Sequence, residues 1–269
     1  MTLSKPIIPK EHGAWAILLV PLFIGAAHGG GWNWQVLLFL ISSLGIFLGY
    51  LPAQTLLRAA SSSQREGEDV RMARRWLLVY LSIAAVSILP VIVLSERWLL
   101  LPIGLVGMAI FVLNFFLTRG QGKTIPADLA AVVGLTLTAP AAYYVASGTF
   151  AATALVLWLL NILFFGSTVF YVHMRIRALA AKKVEWGWKD RFAYGGVNLA
   201  YHVVMVGILM LLAFNRLTPT FQLLAFAPMT LNAVWGTLRL ASSVNLKKLG
   251  FTLLTHSLAF LVLTLILVH

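Results

Sequence analysis

Charged side chains are missing from seven long stretches of the chain: 13–57, 76–95, 98–118, 129–174, 192–215, 217–238 and 249–269. A helix crosses the hydrocarbon core of a bilayer with about 20 apolar residues. Most of these stretches hold one such helix, but 13–57 and 129–174 are long enough for two. The breakers "HGGGWNW" (28–34) and "ASGT" (146–149) divide them. The pattern therefore predicts an all-α integral membrane protein with nine transmembrane helices.

Cation placement orients the predicted helices, because short loops rich in Lys and Arg stay cytoplasmic. With the N-terminus inside and the C-terminus outside, only Arg97 and Arg216 of the 20 lysines and arginines fall on the outer side. A missed helix would move whole cationic clusters across the membrane. Composition agrees: 60% of the 269 residues are hydrophobic and 10% charged, against roughly 25% charged in soluble domains. The net charge of +12 belongs to one face, where topology and anionic lipid account for it, and it implies no nucleic-acid partner. The first apolar run is too long for a signal peptide, so the N-terminus is expected to be retained. With no cysteines, disulfides, thiolate metal sites and a Cys nucleophile are excluded.

Sliding the sequence on itself by 119 residues superposes Pro21 on Pro140, Gln54 on His173 and Arg58 on Arg177, while Asn114 answers Asn232 one residue out of step. This reads as one transmembrane domain, 1–269, built from two four-helix units at about 11–119 and 126–240 with a ninth helix at about 249–268. Four is even, so both units share one orientation and the loops after helices 2 and 6 lie on the same cytoplasmic face. Those loops, 58–75 and 175–191, are the longest in the chain, with Trp186 and Trp188 suited to headgroup level. They read as a cap over a cytoplasm-facing cavity or as solvated charged loops.

The segments "PKEHGAWA", "FFLTRGQGKT" with the following "DLAAVVGLTLTAPAAYY", and "GSTVFYVHMRIRA" resemble the YwiC-like integral membrane proteins along essentially the whole chain. That resemblance implies a polytopic membrane protein and no particular activity. The architecture is also similar to the UbiA superfamily of intramembrane prenyltransferases. It implies two four-helix units, cytoplasmic caps after helices 2 and 6, and magnesium bridging paired aspartates to an isoprenoid diphosphate, helped by basic residues. The aspartate pairs are absent here: helix 2 ends "LPAQTLLRAASSSQ" and helix 6 "FYVHMRIRALAA". Gln54 and His173 stand in those regions, each four residues before an arginine and so on one helix face with it. Glu66, Glu68 and Asp69 offer some oxygens to magnesium, yet a short acidic run between arginines reads more simply as a solvated ion-pair patch. No metal ligand is assigned, and the cofactor stays open.

The basic side of the pattern is retained. Arg58, Arg119, Lys123, Arg175 and Arg177 lie on the predicted cytoplasmic rim, where guanidinium forks suit phosphate oxygens. Glu11 and His12 open helix 1 and Asp128 opens helix 5 at the corresponding place. A carboxylate in a first turn complements the helix dipole, but this leaves His12 unexplained. If the two rims meet, Glu11, His12, Asp128 and His173 form an acid and base cluster able to polarise a hydroxyl or relay protons. Gln54, Asn114, Asn161, Asn198, His202 and Asn232 are expected to point into the bundle as a polar lining, with interhelical hydrogen bonding as their ordinary role.

Three functions fit these residues. The first is a UbiA-like enzyme moving an isoprenoid diphosphate. The second is a non-enzymatic carrier of a quinone or lipid phosphate. The third is a small-molecule transporter, which the same-orientation repeats disfavour because secondary transporters commonly use inverted ones. In each the protein is expected in a bacterial inner-type membrane, with membrane lipids as partners.

Overall fold

The computed structural model describes residues 6–9, 12–60, 67–118 and 124–267, the side chain of His12 excepted. These residues form helices and no strand: α1 (His12–His28), α2 (Trp34–Ala60), α3 (Glu68–Val93), α4 (Leu100–Thr118), α5 (Ile125–Leu135), α6 (Thr138–Ser147), α7 (Ala152–Ala181), α8 (Trp188–Phe214), α9 (Leu223–Leu238) and α10 (Leu246–Leu267). Seven segments are long and apolar enough to cross a membrane, with α5 and α6 counted together as Ile125–Ser147. The other two, α1 and α9, have 17 and 16 residues and are shorter. The nine expected helices thus correspond in order to seven full-length candidates and two short rods.

Helix 5 departs from expectation, because it is broken at Thr136–Leu137 rather than continuous. Pro140 has no N–H for the Thr136 carbonyl, and its ring would clash there. The neighbouring threonines complete the break by bonding back to the chain. Thr136 Oγ1 donates to Val132 O at 2.7 Å, and Thr138 Oγ1 reaches both Leu135 O and Leu18 O at 2.9 Å. Trp158 Nε1 takes Val133 O. Ala139 N takes the Thr136 carbonyl at 2.9 Å, so with Trp158 on Val133 O and Thr138 sharing its one proton between Leu135 O and Leu18 O the carbonyls at the break have donors, as apolar surroundings require.

The long cationic loops after helices 2 and 6 are also largely helix. α2 runs on to Ala60 and α3 starts at Glu68; α7 runs to Ala181 and α8 starts at Trp188. At the opposite end, Pro219 and a 3-10 turn (Thr220–Gln222) delay α9 to Leu223, although its apolar stretch starts at 217. α10 begins at Leu246, ahead of the expected boundary.

The two halves join where α1 meets α6. A Cβ at Gly25 would collide with the Ala139 carbonyl, and one at Gly29 would lie 2.6 Å from the Tyr143 carbonyl. The four-residue spacing of these glycines lets the backbones touch, the small-residue contact by which membrane helices associate. On the other flank of α1, Phe164 of α7 stacks on Phe260 of α10 at 4.0 Å between centroids, with Phe226 of α9 edge-on to both. Leu78, Val86, Leu89 and Val93 of α3, Leu105 and Met108 of α4, and Val203, Met210 and Leu211 of α8 turn outward. Such exposed apolar faces are stable against lipid and unfavourable in water.

Most of the described cations gather at the end of the bundle where α2 stops and α3 begins and where α7 stops and α8 begins. At the far end Arg97 has a structural job, its Nε donating to Val145 O near the C-terminus of α6 and its guanidinium lying over Tyr144.

Gly25→Ala should lower the thermal midpoint in detergent, with a loss of about 1–3 kcal/mol, the cost of overpacking against immovable backbone. Gly207→Ala, where a Cβ meets nothing within 4 Å, should be neutral or gain about 0.5–1 kcal/mol. Equal responses from the two would refute the close α1–α6 contact.

Candidate functional site

The fifth helix places the first half of the site. Thr124 caps α5, its side chain accepting from Ala127 N at 3.4 Å, and Pro126 sits at the second helical position, where its missing N–H costs nothing. Asp128 follows in the first turn, complementing the helix dipole. On α7, His173 brings Nε2 to 2.8 Å from Asp128 Oδ2. The carboxylate only accepts, so Nε2 carries the proton. In the neutral ring Nδ1 is then a lone pair held in fixed orientation by the carboxylate. That is the arrangement of a general base. The side chains of His173 and Asp128 are 17% and 34% exposed, so the pair is reachable.

A hydrogen-bonded chain from α2 through α4 reaches α5 beside this pair. Gln54 Nε2 donates to Tyr50 OH (2.6 Å), Tyr50 OH donates to Asn114 Oδ1 (2.9 Å), and Asn114 Nδ2 donates to the Ala127 carbonyl (2.6 Å). Three helices, α2, α4 and α5, are thereby tied at the residue next to Asp128. Tyr50 was not legible as a site residue, although its place one turn before Gln54 on the same helix face was the available signal.

From Tyr50, α2 continues ten residues to Ala60, about 15 Å at 1.5 Å per residue. α7 continues eight residues past His173, about 12 Å. Trp15 of α1 packs edge-on against Phe47 of α2 at 5.0 Å, and Tyr80 OH donates to the Ile7 carbonyl.

The α2–α3 and α7–α8 hairpins carry most of the described cations. Arg58 lies exposed one turn beyond Gln54; Arg177, one turn beyond His173, lies over the Tyr194 ring, and Arg191 over Trp188. Nε of Arg175 and Nε of Arg191 are buried without a hydrogen-bond partner. An open crevice of about 330 Å³ at the end of the α2–α3 hairpin is walled by Leu56, Ala59, Ala60 and Val70, with Arg74 at its edge. Trp186 Nε1 donates to Ser242 Oγ, which donates to Lys183 O, tying the α7–α8 turn to the α9–α10 connection.

Of the residues expected to form the cluster, Asp128 and His173 meet; Glu11, Arg119 and Lys123 lie outside the described residues, as does the side chain of His12. Among the polar positions, Asn114 bonds between helices, and so does Asn198, through Thr237 Oγ1 at 3.3 Å. Asn161 and His202 instead bond within their own helices, to Leu157 O and Asn198 O, because a carbonyl one turn back is within reach of either side chain. Asn232 Nδ2 is buried without a partner. The described residues bring no three of His, Cys, Asp and Glu together; of the acidic run after helix 2, Glu68 and Asp69 sit in the first turn of α3 and Glu66 lies outside the described residues.

Fold and site together define a multi-pass helical protein of membrane type with an aspartate and histidine pair under a cationic end. The family model described as YwiC-like protein matches residues 8–143, just over half of the chain, and the chain belongs to that family. The match contains Asp128 and stops before His173. The chain is 29% identical over 192 residues to the Bacillus subtilis (strain 168) protein named "Uncharacterized protein YwiC", covering 68% of this chain and 73% of that one. It is 21% identical over 183 residues to an "Uncharacterized protein" of Haemophilus influenzae, covering 68% and 72%. No solved structure matches the chain.

Asn114→Leu breaks both interhelical links, to Tyr50 OH and to the Ala127 carbonyl, and should cost about 1–2 kcal/mol, whereas Gln54→Leu, which breaks a link within α2, should cost about 0.6 kcal/mol. Thermal midpoints in detergent check the order; a larger loss from Gln54→Leu would contradict the chain as described.

Proposed function

We propose that this protein binds an amphiphile with an anionic head, an isoprenoid or lipid (di)phosphate, in a cytoplasm-facing mouth of a UbiA-like bundle with nine spans, N-terminus inside and C-terminus outside. The observation that carries the reading is the Asp128–His173 pair, with Arg175 and Arg177 following His173 on α7. Phosphate oxygens are the natural acceptors for guanidinium donors that the protein leaves unpaired, as with Nε of Arg175. The apolar crevice beside Arg74 suits a chain attached to such a head. Arg58, Arg175 and Arg177 hold the anion in this reading, and Arg119 and Lys123 of the α4–α5 connection join them. The bacterial relatives and the one-sided cations support a bacterial inner membrane.

The dyad adds chemistry to binding. With Nε2–H directed at Asp128, Nδ1 of His173 is available to take a proton from a substrate hydroxyl. This favours turnover over passive carriage of a lipid or quinone. Transport is the weaker reading, because the broken helix that would supply free carbonyls to a solute has them occupied by Thr136, Thr138 and Trp158.

Native mass spectrometry in mild detergent tests the proposal. Wild type should retain a phosphate-headed lipid that Arg58→Ala/Arg177→Ala loses at least tenfold, while His173→Ala retains the lipid and lacks turnover. Retention by the double arginine variant, or no bound lipid in any variant, would overturn the reading. Uptake of a labelled solute into proteoliposomes would then favour transport.

A further inference from the structure

A second polar cluster lies between α7, α8 and α9, one residue along α7 from His173. Asn198 and His202, 1% and 3% exposed, stand one turn apart on the same face of α8. Gly195 lets α9 approach closely enough for Asn198 Nδ2 to donate to Thr237 Oγ1 at 3.3 Å. Thr237 Oγ1 is 2.9 Å from Ala233 O and 3.3 Å from Met174 Sδ. A hydroxyl has one proton, and the carbonyl is the better acceptor, so Thr237 donates nothing to Asn198. His202 Nδ1 lies 2.8 Å from the Asn198 backbone carbonyl, which only accepts; Nδ1 therefore holds the ring proton and Nε2 of the neutral ring is a lone pair.

Two buried acceptors result, Asn198 Oδ1 and His202 Nε2, and neither has a partner. Leaving acceptors unpaired in an apolar interior is costly, and buried ones are almost always satisfied by protein or by a bound small molecule. Side chains one turn apart on a helix are neighbours, with Cβ atoms about 5–6 Å from each other, so the two acceptors belong to one short stretch of α8. We infer that the Asn198–His202 turn is an interior binding site for a small donor with at least two N–H or O–H protons, water being the neutral form of that chemistry and ammonium the charged form. A metal cation fits less well, since both acceptors are uncharged. The site is distinct from the headgroup site and does not rest on it.

Solid-state NMR of 15N-histidine-labelled protein in bilayers tests this on the wild type. The His202 signals are assigned by their loss in His202→Gln or, should that variant not fold, by the contact of the Nδ1 proton with the Asn198 carbonyl carbon. His202 Nε2 should resonate as a hydrogen-bonded acceptor and receive magnetisation from exchangeable protons, with transfer reduced several-fold in Asn198→Leu. The same signal in potassium chloride and ammonium chloride identifies water; a signal appearing only with ammonium identifies the cation. A free-acceptor resonance without transfer in either salt, or a protonated Nε2, overturns the site.

Discussion

Everything in this bundle is arranged around the backbone contact between α1 and α6. Gly25 and Gly29 remove the side chains that would hold the helices apart, and the carbonyls of Ala139 and Tyr143 move into the space. Lipid tails are as apolar as leucine, so hydrophobic burial adds little to helix association here. Close approach supplies dispersion contact instead. With α1 locked to α6, α10 and α7 pack on its remaining sides, and the break between α5 and α6 becomes tolerable because Thr138 can bond across to the Leu18 carbonyl.

Next to that joint, α5 opens at Ile125 and its first turn brings Asp128 to His173 of α7, with the positive end of the helix dipole beside the carboxylate. Around them the hairpins continue as helices, carrying arginines whose faces rest on Tyr194 and Trp188. Stacking on an aromatic ring leaves the edge of a guanidinium free to bind an anion. A loop carrying the same charges would pay more conformational entropy to present them at one place.

Two polar clusters in the interior differ. In one, Gln54, Tyr50, Asn114 and the Ala127 carbonyl form a chain in which each link from Gln54 Nε2 onward has a partner. In the other, between α7, α8 and α9, Thr237 bonds back to a carbonyl one turn earlier, and Asn198 and His202 keep spare acceptors. A saturated network rigidifies; an unsaturated one holds capacity for a guest.

Sequence by itself determined the helical membrane class, the order and approximate ends of the rods, and the gathering of cations at one end. These follow from local properties: apolar length, breakers such as His28–Trp34, and charge in connections. It also singled out Asp128 and His173 as residues with chemistry to offer, because ionisable groups at the edge of apolar runs are costly to keep. Tertiary structure alone decided that these two touch, since they lie 45 residues apart and meet only through the packing of α5 on α7. It likewise decided that helix 5 breaks at Thr136–Leu137 while α1, with Pro21 at the equivalent position, stays whole. A proline inside a helix removes one hydrogen bond; whether the helix parts there depends on which neighbouring donors can take the released carbonyls, and that is a property of the packed bundle.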